Sequence, residues 1–126
     1  MPVYATVPPV QLDLGDITTV WSAETPTPGA TLAATSVPVA LPVQGVGNPQ
    51  NLSVSIAFSG APGAFEVDLL TADVDAWTNY VQKTTVTAVN ASNVARMEIT
   101  GLKAKFACLQ LVSRANSVSA TATIAA

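Results

Sequence analysis

The stretch KAKFACLQL, Lys103 to Leu111, carries the sole cysteine of a 126-residue chain that contains no histidine. A thiol becomes a nucleophile or metal ligand when a base, a cation or a metal draws its proton away. Imidazole is missing here, and the nearest positive charges along the chain are Lys103 and Lys105. Cys108 also alternates with Phe106 in a run that is apolar on both faces, where burial raises the thiol pKa and keeps the sulfur inert. Its expected role is to fill core volume.

Paired carboxylates are the next candidates. Glu66 and Asp68 are two apart, which on a strand places both on one face with Cα atoms about 6.5 to 7 Å apart. Carboxylates at such a spacing can cleave a glycosidic bond. Any solvent-facing strand shows the same pattern, so a hydrated outer face is the expectation. Asp73 and Asp75 form a D-x-D pair, but the glycine and downstream glutamate of a calcium loop are missing. Tyr4, Trp21, Trp77 and Tyr80 would form a sugar-stacking platform or an interface anchor if exposed together, and ordinary core if buried separately. NLS at Asn51 and NAS at Asn90 match glycosylation acceptors, a short motif that no secretory leader supports here. No catalytic, cofactor-binding or metal-binding residues are assigned, no cofactor is expected, and the chain is not expected to be an enzyme.

The elements that carry these residues read as strands. Ala95, Met97 and Ile99 oppose Arg96, Glu98 and Thr100; Val118, Ala120, Ala122 and Ile124 oppose Ser117, Ser119, Thr121 and Thr123. Both show the period of a half-buried strand. Between them KFACLQLVS is apolar on both sides and fits a central strand. Leu52, Val54, Ile56 and Phe58 alternate with small residues, and Phe65, Val67 and Leu69 alternate with Glu66 and Asp68. The link GAPGA between these two runs predicts a hairpin, because proline fixes one φ and glycine permits positive φ. ITTVWSA, ATLAATSVPVALPV and KTTVTAVN predict further strands. Pro38 and Pro42 cannot donate to a ladder, which places the second of these at an edge or a bulge. TADVDAWTNYVQK reads either as a short helix or as a loop that carries Trp77 and Tyr80 inward. About eight short strands with Gly and Pro punctuation predict a single-domain, all-β sandwich, jelly-roll-like or immunoglobulin-like, over residues 13–126. The Pro-rich residues 1–12 predict an extended N-terminal arm that packs on a neighbouring chain.

Composition narrows the partners. Charged residues make up 10% of the chain, against about 25% in ordinary soluble domains, and the stretch from Thr25 to Phe65 has none. So bland a surface is expected to be covered in part by a partner. Seven acidic residues and no basic one precede residue 83; Lys83, Arg96, Lys103, Lys105 and Arg114 then face only Glu98, for a net charge of −3. This argues against nucleic acid, which requires clustered Lys and Arg. The division suggests electrostatic matching within the fold or between copies. No apolar window is long enough to span a membrane, and MPVYATVPPV lacks the basic segment of a secretory leader.

MEITGLKAKFACLQLVSRANSVSATATIAA resembles the closing strands of small all-β structural proteins of tailed bacteriophages, in which a strand, a TGL turn, an apolar strand and a final TATI strand follow one another. FSGAPGAFEVDLLTADVDA looks like the hairpin and acidic loop of the same proteins. The resemblance implies a virion structural protein, a capsid decoration or cement protein that binds the major capsid protein lattice on the outside of the head. It also implies a jelly-roll sandwich, many copies per particle, self-association into a symmetric homo-oligomer, and synthesis in the host cytoplasm before assembly into the virion. A carbohydrate-binding β-sandwich module and a tail or baseplate component are the alternative expectations.

Overall fold

The computed structural model describes residues 8–41 and 50–126. Within them the alternation resolves into nine strands: β1 (Val10–Gln11), β2 (Ile17–Glu24), β3 (Val39–Ala40), β4 (Gln50–Phe58), β5 (Phe65–Ala72), β6 (Val81–Val86), β7 (Val94–Leu102), β8 (Phe106–Arg114) and β9 (Ala120–Ala125). A five-stranded sheet runs β1-β3-β8-β5-β6, and a four-stranded sheet runs β2-β9-β4-β7. The protein is an all-β sandwich. Its inner faces carry the predicted apolar sets: Leu52, Val54, Ile56 and Phe58 of β4 and Ala95, Met97 and Ile99 of β7 meet Val67, Leu69, Leu109 and Leu111 of the other sheet in one buried cluster. Burial of this apolar surface is the main favourable term in folding.

The pairing has a simple rule. β2 pairs with β9, β3 with β8, β4 with β7 and β5 with β6, all antiparallel. These are the rungs of one long two-stranded ribbon whose closed end is the β5–β6 connection. The lateral pairings β4·β9 and β5·β8 then join the folded ribbon into two sheets.

Four local expectations change. The GAPGA link does not close a hairpin: β4 pairs with β7 and β9 in the four-stranded sheet and β5 with β6 and β8 in the five-stranded sheet, so the link crosses from one layer of the sandwich to the other. The proline-flanked segment is interior: β3 lies between β1 and β8, and its ladder is only two residues long. Pro38 stands just outside that ladder and contributes its carbonyl, which accepts from Val10 N–H at 3.0 Å. Pro42 lies outside the described residues. The TADVDAWTNYVQK segment forms the loop alternative, with a 3-10 turn at Trp77–Asn79 leading into β6. The described end of the Pro-rich arm belongs to the sandwich itself. β1 runs parallel to β3, Leu12 N–H donates to Ala40 O at 2.9 Å, and the Leu12 side chain is fully buried in the main core. The arm's expected packing on a neighbour is therefore corrected for Val10–Leu12, and the sandwich begins ahead of residue 13.

Trp21 is buried by an irregularity. Val20 and Trp21 are adjacent in β2 yet both are inside, which a regular two-residue period forbids. Register shifts on either side of Trp21, with Ala23 at φ +49°, turn both side chains toward the core.

Candidate functional site

Cys108 lies where the sequence places it, on a strand covered on both sides. Its neighbours Ala107 and Leu109 enter the main core. Cys108 itself points to the opposite face, into a smaller cluster with Leu70, Ala72 and Tyr80, flanked by Trp77 and Phe106. Burial, with a smaller contribution from the Asp75 carboxylate, pushes its thiol up to about 12. No thiolate forms near neutrality.

The same cluster absorbs the aromatic candidates. Tyr80 is buried and its hydroxyl donates to Asp75 Oδ1 at 2.8 Å. Burial first, and that hydrogen bond second, raise the phenol's pKa. Asp75 of the D-x-D pair is thus an acceptor for tyrosine, while Asp73 is exposed. Trp77 is half-buried and Trp21 sits in the other core, so the described aromatics do not form one exposed platform. Tyr4 lies outside the described residues. Among the described residues no group of three or more acidic, cysteine or histidine side chains is placed to hold a metal ion.

Glu66 and Asp68 share the outer face of β5 as expected, but the face is not hydrated throughout. Asp68 is only 6% exposed, between Gln110 of β8 and Thr85 of β6 in the register, and its Oδ1 has no hydrogen-bond partner. β5 is flanked by a strand on each side, so its outward side chains are hemmed in by long neighbours. The Glu66 carboxyl is held above the usual range, chiefly by a hydrogen bond with Asp68 and then by its charge.

Individual side chains thus offer little chemistry, but the ends of the sandwich differ sharply. The register places Glu24, Phe58, Phe65, Val86, Val94, Arg114 and Ala120 at one end. The connections there are Thr25–Pro28, Ser59–Ala64, Thr87–Asn93 and Ala115–Ser119, and none contains Asp, Glu, Lys or Arg. At the opposite end, Asp13 and Asp16, Asp73 and Asp75, and Lys103 and Lys105 occupy three connections. Loop charge is segregated to one end.

The uncharged end is also held in shape. Asn116 N–H donates to Pro62 O at 3.0 Å, Asn116 Nδ2 to Ala61 O at 3.0 Å, and Ala115 N–H to Ala64 O at 2.7 Å. Ser59 N–H donates to Ser119 O at 2.9 Å, and Ser119 N–H to Ser59 Oγ at 3.0 Å. The third loop is an Asx turn: Asn90 Oδ1 accepts from Ser92 and Val94 N–H, with Asn93 at φ +61°. Asn93 O then accepts from Phe58 N–H on β4. Exposed residues of these loops include Ala61, Ala64, Ala88, Ala91, Ser92, Ala115 and Ser117. This is a prearranged surface of small side chains, hydroxyls and amides. The sequence signalled half of it through the uncharged run; the other two loops join it only once the strand pairing is known.

Scanned against protein families the chain matches no family model, and no curated protein matches it.

Proposed function

We propose that this chain is a virion structural protein, a decoration or cement protein that docks on the outer surface of a phage capsid through its uncharged loop end. The observation that carries the reading is the segregation of loop charge, which leaves one end able to lose its water cheaply. Desolvating a charged group often consumes the attraction gained on binding, whereas small apolar and hydroxyl-bearing groups avoid that penalty. The hydrogen bonds that tie the loops together reduce the ordering lost on association. The rolled-ribbon pairing supports a jelly roll, the architecture the phage resemblance implies: with β1 set aside, four strands stand in each sheet, and each strand pairs with its counterpart from the far half of the ribbon. The burial of Trp21 and Tyr80 removes two of the rings on which the carbohydrate-binding alternative relied.

Co-sedimentation of the purified protein with undecorated capsids tests the proposal. Binding should depend only weakly on salt between about 0.05 and about 0.5 M, because the four docking loops carry no charge and Glu24 and Arg114, at the strand ends behind them, are of opposite sign. Ala61→Asp and Ala88→Asp, both at exposed loop positions, should weaken it by about tenfold or more with no change in Tm. Failure to sediment with capsids at any salt, or unaltered binding by both variants, would sink the proposal.

A further inference from the structure

The charged end carries two surfaces of opposite character on opposite flanks. β1 and β2 are the outer strands of the two sheets on one side, and β6 and β7 are the outer strands on the other. The β1–β2 connection is the turn Asp13–Asp16, whose tip residue Leu14 is 71% exposed and is followed by Ile17, 70% exposed. The turn is fixed: Asp16 Oδ2 accepts from Asp13 N–H, Asp16 N–H donates to Asp13 O, and Gly15 N–H donates to Ala126 O. Gly15 takes φ +86°, which a side chain resists, so the tip projects as a small rigid knob with an apolar point and a carboxylate on each side.

On the far flank lies an open groove of about 430 Å³ between the β5–β6 loop and the β7–β8 turn. Val81, Leu102 and Ala104 give it apolar lining, and Lys83, Lys103 and Asp73 contribute its charges. Both lysines are exposed, and neither side chain has a hydrogen bond or ion pair among the described residues. The groove therefore offers two unengaged ammonium groups and one carboxylate over a mixed lining that includes Thr71, Asn79 and Val81, a net positive counterpart to the two carboxylates that flank Leu14.

We infer that this chain assembles head to tail, the Asp13–Asp16 turn of one copy seating in the groove beside Lys83 and Lys103 of the next. The two surfaces differ, so the contact is heterologous, and surfaces on opposite flanks at one level of the molecule generate a ring when the rotation closes. A two-fold contact of like with like would set turn against turn and repel. The assembly is independent of what the uncharged end binds, so a failure of capsid docking leaves it standing, and the reverse.

Sedimentation velocity on the full chain over a range of protein concentrations tests it. The wild type should form a discrete oligomer at low ionic strength that dissociates as salt screens the exposed charges. The double variant Lys83→Glu, Lys103→Glu and the single variant Leu14→Asp should each associate about tenfold or more weakly while keeping the wild-type Tm. The double variant Asp13→Lys, Asp16→Lys should also be monomeric alone, and mixing it with the lysine-reversed variant should restore an oligomer of alternating composition. A wild type that stays monomeric at all concentrations, a groove in which an unrelated acidic peptide binds while copies do not associate, or variants that assemble as the wild type does would each overturn the inference. Should the aspartate variant fail to fold, the groove variant and Leu14→Asp decide the matter.

Discussion

At the scale of single residues, the groups that looked reactive are committed to structure. Cys108 has no solvent access and a thiol pKa pushed up to about 12, so alkylation of the native protein should be slow and become fast only in denaturant. Cys108→Ala should cost about 1 to 2 kcal/mol in urea unfolding, through lost contacts with Leu70 and Tyr80 and the small cavity left behind. Fast native labelling would contradict this. Glu66 gives a pH dependence of defined sign. Its carboxyl binds a proton more tightly in the folded protein than in the unfolded chain, so the stability it contributes is present at acid pH and is lost as pH rises through its raised folded pKa. Glu66→Gln should therefore raise Tm at neutral pH and lose that advantage below about pH 4. An advantage that grew on acidification would reverse the sign and exclude the Asp68 contact as its cause. The sequence showed that these carboxylates share a face. It did not show that Asp68 is buried, because alternation tells which side of a sheet a residue takes and not whether its neighbours cover that side.

At the scale of elements, legibility followed periodicity. β4, β7 and β9 were readable because each buries one face and wets the other, and β8 because both of its faces are apolar. The segment from Thr25 to Leu41 was not. It is attached by isolated bonds, Gly29 N–H to Leu111 O and Ser36 N–H to Leu109 O, with Ser36 Oγ accepting from Leu109 N–H, and its regular pairing shrinks to two residues of β3. Such a path leaves no period in the sequence. The turn at GAPGA was readable for a different reason, the demands of its backbone, but the hairpin expected there does not form, because a turn signal does not say whether the next strand stays in the same sheet. Gly63 has φ +69°, and a Cβ there would lie 2.8 Å from Ala115 Cβ and 3.1 Å from Asn116 Nδ2, so the glycine serves both its own turn and the neighbouring loop. Gly63→Ala should destabilise by about 1 to 3 kcal/mol and, under the docking proposed above, loosen capsid binding. Gly15→Ala is the control, with a similar φ of +86° but nothing within 4 Å of the added atom; it should carry only the backbone part, about 1 kcal/mol. Equal effects on unfolding would show that the contact with Ala115 and Asn116 contributes nothing.

At the scale of the whole molecule, folding brings acidic and basic parts of the chain together at one end and leaves the loops of the other end without charge. Sequence order showed the acidic and basic halves but not this result, because the rolled ribbon interleaves strands from both, setting Asp13 and Asp16 near the level of Lys103 and Lys105. The arrangement also fixes where chemistry can be attached. The three lysine side chains are Lys83, Lys103 and Lys105; two lie in the β7–β8 turn, and Lys83 on β6 lines the same groove as Lys103. None stands in the four neutral loops. An amine-reactive dye, polymer or displayed antigen coupled to lysine would therefore emerge from a single end, and a particle decorated as proposed above would present such cargo outward and in one orientation.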